Sequence, residues 1–331
     1  AQDNSAHQVA ATPVHPHRWS PTAPSSMAMA TEDGRAASFM QGGGPAGPAP
    51  LTRKNWSNLV AYVLNLAITY GSLTGIFGET NTDLSKKYQT LVTPAGFAFS
   101  IWGPIFIWEL VFAVAQMFPR YRGTAVVRAV TPWWCAACVS QIGWTLTFAQ
   151  EVIPLSLVFM CGILICLLGI AVATDGLKLT WAEYALLRAP FSLHLGWILA
   201  ATAVNASVQA DAAKASPETL LGLAVASYAA VCVAATVFAT AAKSPDAIVC
   251  LVVAWAFNGI RSELGNPQNL DDPSRHNPYN WDRVTVGGLQ KAALGVTIMA
   301  LALIVIAVVR SVLLTRHARD VSKSQSTQPG V

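Results

Sequence analysis

Five polar side chains sit inside stretches of sequence otherwise apolar enough to lie in a membrane: Asn65, Glu109, Gln141, His194 and Asn205. Each is costly to bury in hydrocarbon without a partner or a purpose, so each marks a place where binding or chemistry is expected. Aromatic residues accompany them at helical spacing. Gln141, Trp144 and Phe148 are three and four apart and share one helix face. His194, Ala201 and Asn205 project along nearly one line, with Trp197 a little to the side. An imidazole, an indole and an amide on one stripe, with Gly196 and small alanines permitting close approach, can form one wall of a pocket for a flat aromatic ligand. A neutral nitrogen of His194 could also coordinate a metal. A plainer chemistry uses the same groups: hydrogen bonds that glue neighbouring helices together. Glu109 needs a partner in such surroundings, and the sequence assigns it none.

The densest run of such residues extends from Thr93 to Glu109, TPAGFAFSIWGPIFIWE. Thr93, Pro94 and Gly96 suit a loop turning into a helix, because the first N–H groups of a helix lack partners within it and proline loses nothing there. Phe97, Phe99, Trp102, Phe106 and Trp108 follow in an apolar run. Pro104 inside that run is expected to bend or locally break the helix. An aromatic wall, a kink and an acid thus fall within about five helical turns. A buried membrane helix with packing aromatics accounts for the same residues.

Positioning these groups is a task for a membrane bundle. The 331 residues are 53% hydrophobic and 11% charged, against roughly 25% charged in a soluble domain, and the mean hydropathy is +0.44. Apolar stretches close to the ~20 residues that span a bilayer recur along the chain. The expected fold is all-α, a polytopic transmembrane helix bundle. Eight spans are expected, at about 56–77, 93–118, 132–149, 154–173, 183–208, 217–241, 246–260 and 287–309. The seventh is short enough to be partly re-entrant. Residues 1–54, rich in Ala, Pro, Ser, Gly and His, read as a disordered tail and as the remnant of a targeting region. Residues 55–209 then form a five-helix membrane core, 210–315 three further membrane helices with a polar loop at 261–284, and 316–331 a disordered C-terminal tail.

Arginine and lysine concentrate in the loops that eight crossings place on the side of both termini, which makes that side cytoplasm-like, or stroma- or matrix-like in a chloroplast or mitochondrion. The net charge of +4 is scattered and offers no surface for nucleic acid. Asp271, Asp272 and His276 in the polar loop, and His7, His15 and His17 in the tail, could meet a metal, but turn chemistry and loose spacing account for them more simply. All six cysteines fall within predicted spans; Cys135 and Cys138 form a C-x-x-C without a second pair, so small packing residues are expected and no metal site. No nucleophile elbow, H-E-x-x-H or phosphate-binding loop is present. A binder is therefore expected before a hydrolase.

Three of these patterns together resemble the TspO/MBR family, the tryptophan-rich sensory or translocator proteins: Pro94, Phe97, Phe99 and Trp102; Gln141-x-x-Trp144; and Pro190-Phe191 through Trp197 to Asn205. The order and spacing of all five family helices are reproduced over about 56–209, and a phrase like DAIVCLVVAWAFNGI at 246–260 is similar to the longer branch with additional C-terminal helices. The resemblance implies a five-helix bundle that binds tetrapyrroles (protoporphyrin, haem or a chlorophyll type) or a sterol-like small molecule. It also implies association with porphyrin transport, stress signalling or light-dependent porphyrin breakdown, the last being the one chemistry expected, driven by the bound pigment. Carried over residue by residue, the ligand site would involve Pro94, Phe99, Trp102, Trp144, Phe191, Trp197 and Asn205.

Two departures qualify that transfer. The position of His194 is commonly tyrosine in the long branch, so the histidine here could ligate a metal tetrapyrrole. The three extra helices have no counterpart in short members and could remodel or fill a site mapped from them. A sensor or carrier in contact with membrane lipid is the function expected. An accessory subunit of a photosynthetic or respiratory membrane complex, a homodimer, or a transporter are the alternatives.

Overall fold

The computed structural model describes residues 50–266 and 281–326, and every element among them is helical. The tail histidines, Asp271, Asp272 and His276 lie outside the described residues. Eight long helices are present among the described residues. They are α1 (Arg53–Ser72), α3 (Gly96–Ala115), α4 (Ala125–Ala149), α5 (Ile153–Thr174), α6 (Trp181–Ala212), α7 (Pro217–Thr240), α8 (Ala247–Leu264) and α9 (Arg283–Ser326). A short helix, α2 (Asn81–Lys87), lies between the first two of these. Six of the long helices are apolar enough to cross a membrane; α1 and α4 are the exceptions. The protein is thus an integral, multi-pass membrane protein.

The lower hydropathy of α1 and α4 has a structural cause. Asn55, Asn58, Tyr62, Asn65, Thr69 and Ser72 recur every three or four residues on α1 and are all buried. Thr69 and Ser72 bond within α1, to Asn65 Oδ1 and the Thr69 carbonyl; the other four find partners on α3, α4 and the link between them. Asn55 donates to Gln116 Oε1 at 2.7 Å, Asn58 to Thr131 Oγ1 at 3.0 Å, Tyr62 to the Phe106 carbonyl at 2.8 Å and Asn65 to Gln141 Oε1 at 3.2 Å. The opposite face, with Trp56, Val60, Val63 and Leu64, is exposed and apolar. α1 is therefore polar inside and apolar outside, the arrangement a lipid-facing helix needs.

Several boundaries differ from the sequence expectation. Pro104 does not break its helix: residues Gly96–Ile101 form a 3-10 turn, the α-helical part begins at Trp102, and Pro104 falls in its first turn, where a missing N–H costs nothing. α4 begins at Ala125, seven residues before Pro132, because Thr124 caps it by accepting the Val127 N–H. α2 lies between the first two expected spans, where the apolar pattern marks no element. Its start is marked by Thr80, whose hydroxyl accepts the Asp83 N–H and donates to that residue's carboxylate. α9 runs on to Ser326, past 315, a helix of 44 residues or about 66 Å.

Two hydrophobic cores organise the described residues. The first is built by α1, α3, α4, α5 and α6, together with Val249, Val252 and Ala256 of α8. The second is built by α7, α9 and the other face of α8, including Cys250, Val253 and Phe257. α8 belongs to both. Its approach to α6 is close: a Cβ added at Gly196 would lie 2.6 Å from Val252 Cβ. Asp246, at the start of α8, accepts the N–H groups of Ile248 and Val249 and the hydroxyl proton of Ser192 on α6.

Candidate functional site

α3, α4 and α6 bring three indoles together. Trp102 lies 6.4 Å from Trp144, nearly parallel at 27°, and 6.2 Å from Trp197, edge-on at 81°. Phe99 meets Trp197 edge-on at 5.7 Å, and Phe148 stacks on Trp144 at 5.4 Å and 14°. These geometries are the offset-stacked and T-shaped arrangements that aromatic quadrupoles favour. The 3-10 turn that opens α3 matters here, because it sets Phe99 and Trp102 on the same side of the helix start.

The aromatic cluster surrounds a small inner cavity of about 50 Å³, to which Pro94, Phe99, Trp102, Trp144, Trp197 and Asn205 all contribute. Six of the seven ligand residues expected from sequence thus converge on one place. Two of its polar groups engage each other and the backbone: the Trp144 N–H donates to Asn205 Oδ1 at 3.0 Å, and the Asn205 amide donates to the Ala201 carbonyl at 3.1 Å. The Trp197 N–H is buried with no partner among the described residues. Phe191, the seventh, lies elsewhere, packed edge-on against Phe112 at 4.8 Å and Trp134 at 5.5 Å.

Two larger spaces adjoin the inner cavity. One, of about 280 Å³, shares Asn81, Phe99, Trp102 and Trp144 with it and reaches the bundle surface between α1 and α3, where Tyr70, Leu73 and Ser100 are exposed. The other, of about 220 Å³, shares Ser85, Pro94 and Phe99 and is lined besides by Lys86, Gln89, Thr93 and Glu263. Phe99 lines all three spaces and Trp102 two, so these rings are partitions. Charged side chains line only the third; the inner and lateral spaces are lined by aromatic, aliphatic, hydroxyl and amide groups.

Glu109 and His194 prove to be each other's partners, with His194 Nδ1 2.8 Å from Glu109 Oε1 and both side chains almost wholly buried. Glu109 Oε2 and His194 Nε2 have no partner among the described residues. The imidazole does not line the cavity. Trp102 stands between, edge-on to it at 5.7 Å. Gln141 is likewise turned away from the cavity, towards Asn65.

Sequence reasoning did not single out Asn81 and Ser85 of α2, Met160 of α5, or Ala256 and Ile260 of α8, all of which line the inner cavity. The Thr80-x-x-Asp83 signature could have located α2. Nothing in an apolar helix distinguishes Ala256 or Met160 from packing residues. Among the described residues no cluster of three or more His, Cys, Asp or Glu side chains could hold a metal ion, and all six cysteines are free thiols.

No curated protein and no solved structure matches the chain. A family model described as TSPO-like protein matches residues 55–271, which takes in α1 through α8 and every wall of the cavity. The match extends well beyond 209, so α7 and α8 fall within it. By this match over more than half of its length, the chain belongs to the TSPO-like protein family.

Proposed function

We propose that this protein binds a flat lipophilic ligand, of the tetrapyrrole class, within its membrane bundle and acts as a sensor or carrier for it. The observation that carries the reading is the meeting of Phe99, Trp102, Trp144 and Trp197 around one cavity free of charged side chains. Flat aromatic walls with few polar groups suit a planar apolar body. Ligand sites commonly enclose about 300–1,000 Å³, more than any one of the three spaces offers, so a macrocycle requires the partitioning rings of Phe99 and Trp102 to swing aside. A metal-bearing tetrapyrrole would find a nitrogen in His194 Nε2, held by the Glu109 contact, once Trp102 had moved.

Titration of the purified protein with protoporphyrin IX, followed by tryptophan fluorescence, tests the proposal. Saturable quenching that weakens about tenfold or more in Trp102→Ala and Trp197→Ala is expected, since aromatic contacts dominate such sites. Quenching identical in wild type and both variants would contradict it.

A second reading, as a subunit of a larger membrane assembly, draws support from α9, whose length of about 66 Å exceeds a hydrocarbon core of about 30 Å. Co-purification in a large complex with no porphyrin quenching would favour it. In either reading eight crossings put both termini on one side, the side we assign as cytoplasm-like from the distribution of Arg and Lys.

A further inference from the structure

α8 touches the inner cavity and the turn that frames it, and the two contacts together give this helix a role beyond filling space. Ala256 and Ile260, 0% and 3% exposed, line the cavity one helical turn apart. Between them Gly259 lies flat against the start of α3. Its carbonyl accepts the Ala95 N–H at 3.0 Å, and a Cβ there would stand 2.7 Å from Ala98 Cβ and 3.1 Å from Pro94 Cβ. The Trp255 N–H donates to the Ala98 carbonyl at 3.0 Å, and its ring meets Phe97 edge-on at 5.5 Å. The 3-10 turn bearing Phe99 is thus held against α8 by two backbone acceptors and a ring contact. α8 itself is fixed between two hydrophobic cores and cannot easily retreat.

We propose that α8 is the specificity-determining wall of the site. Ala256 and Ile260 set the depth of the inner cavity, and so the width of the ligand edge that can enter between Trp102, Trp144 and Trp197. The edge so admitted is narrow and largely apolar, and at the buried end of the space the Trp197 N–H, without a partner among the described residues, can meet one hydrogen-bond acceptor. In a cavity of about 50 Å³ one or two methyl groups decide occupancy. This inference rests on the reading of the cavity as a site for flat lipophilic ligands.

The test compares wild type, Ala256→Val, Ile260→Ala and Leu251→Ala, the last on the exposed face of α8, with protoporphyrin IX and pyrene as probes and energy transfer or quenching of tryptophan fluorescence as readout. Ala256→Val should weaken binding about tenfold or more, Ile260→Ala should keep or strengthen it, and Leu251→Ala should stay within about twofold. The opposite directions separate a change of depth from damage to α8, which would weaken both. If pyrene binds wild type with this ordering and protoporphyrin does not, the tetrapyrrole assignment fails and the role of α8 stands. Equal affinities in all four proteins, equal weakening in Ala256→Val and Ile260→Ala, or no binding of either probe to wild type would each overturn the inference.

Discussion

Glu109 and His194 join α3 to α6 through a contact of 2.8 Å at which hardly any surface of either side chain is accessible. Removing one member leaves a buried polar group of the other without its partner, a loss of about 1–3 kcal/mol. Glu109→Ala and His194→Ala are each expected to destabilise the protein by about 2 kcal/mol. The double variant should cost clearly less than the sum, because the second change then removes an orphan rather than a partner. Thermal unfolding in detergent checks this, and strictly additive losses would contradict it. The sequence marked both residues as intramembrane polar groups, since each interrupts an apolar run. Their pairing was not legible, because 85 positions separate them and only the crossing of two helices brings them together. Phe191 shows the opposite case. Its place in the motif suggested the cavity, yet the turn of α6 sends it to Phe112 and Trp134.

At the scale of elements, α1 and α9 carry the clearest consequences. The Asn55 amide donates to Gln116 Oε1 and to the Gln116 carbonyl, while the Gln116 amide donates back to the Asn55 carbonyl at 2.9 Å. Asn55→Leu should therefore cost about 1–2 kcal/mol, the worth of interhelical hydrogen bonds in a membrane with an acceptor left bare, whereas Val63→Leu on the exposed face should be neutral. Denaturant titration in micelles distinguishes the two, and equal effects would contradict the assignment of α1's buried face. The start of α9 is held by Asp282, whose carboxylate accepts the hydroxyl proton of Thr285 and the Thr285 N–H at 2.8 Å. These bonds, the hydroxyl's first, hold its carboxyl below the usual range. A lowered folded-state value means the cap is fully present above the unfolded carboxyl's range, near pH 4, and is lost as pH falls through the folded value. Protection of the Thr285 and Val286 amides from hydrogen exchange should thus hold from about pH 5 to 8 and fall only once the pH is taken below the ordinary carboxyl range; protection unchanged however acidic the solution would contradict it. Helix existence was readable from apolar runs, but α1's polar seam and the length of α9 were not, because burial of Asn55 and Asn58 depends on where α3 and α4 stand.

Among the described residues, a five-helix core and a three-helix module meet along α8, which packs into both hydrophobic cores, and the cavity lies where they meet. The sequence reading anticipated six of the cavity residues from three aromatic motifs, since those motifs sit on the helices that converge there. It could only anticipate that the extra helices could remodel or fill the site. That Ala256 and Ile260 supply a wall follows from the docking of α8 on Gly196 and on the turn at 96–101, a matter of shape between small residues that no periodicity encodes. The central claim is that this cavity, and not the lipid-facing surface, receives the ligand. Photolabelling with a diazirine-bearing protoporphyrin, followed by peptide mapping, tests it most directly. The account predicts label on the segments at 96–106, 144–148 and 256–260, competed away by unlabelled protoporphyrin. Label confined to exposed faces such as Val60, Val63 and Leu64 of α1 or Val305 and Val308 of α9, and indifferent to competitor, would contradict it.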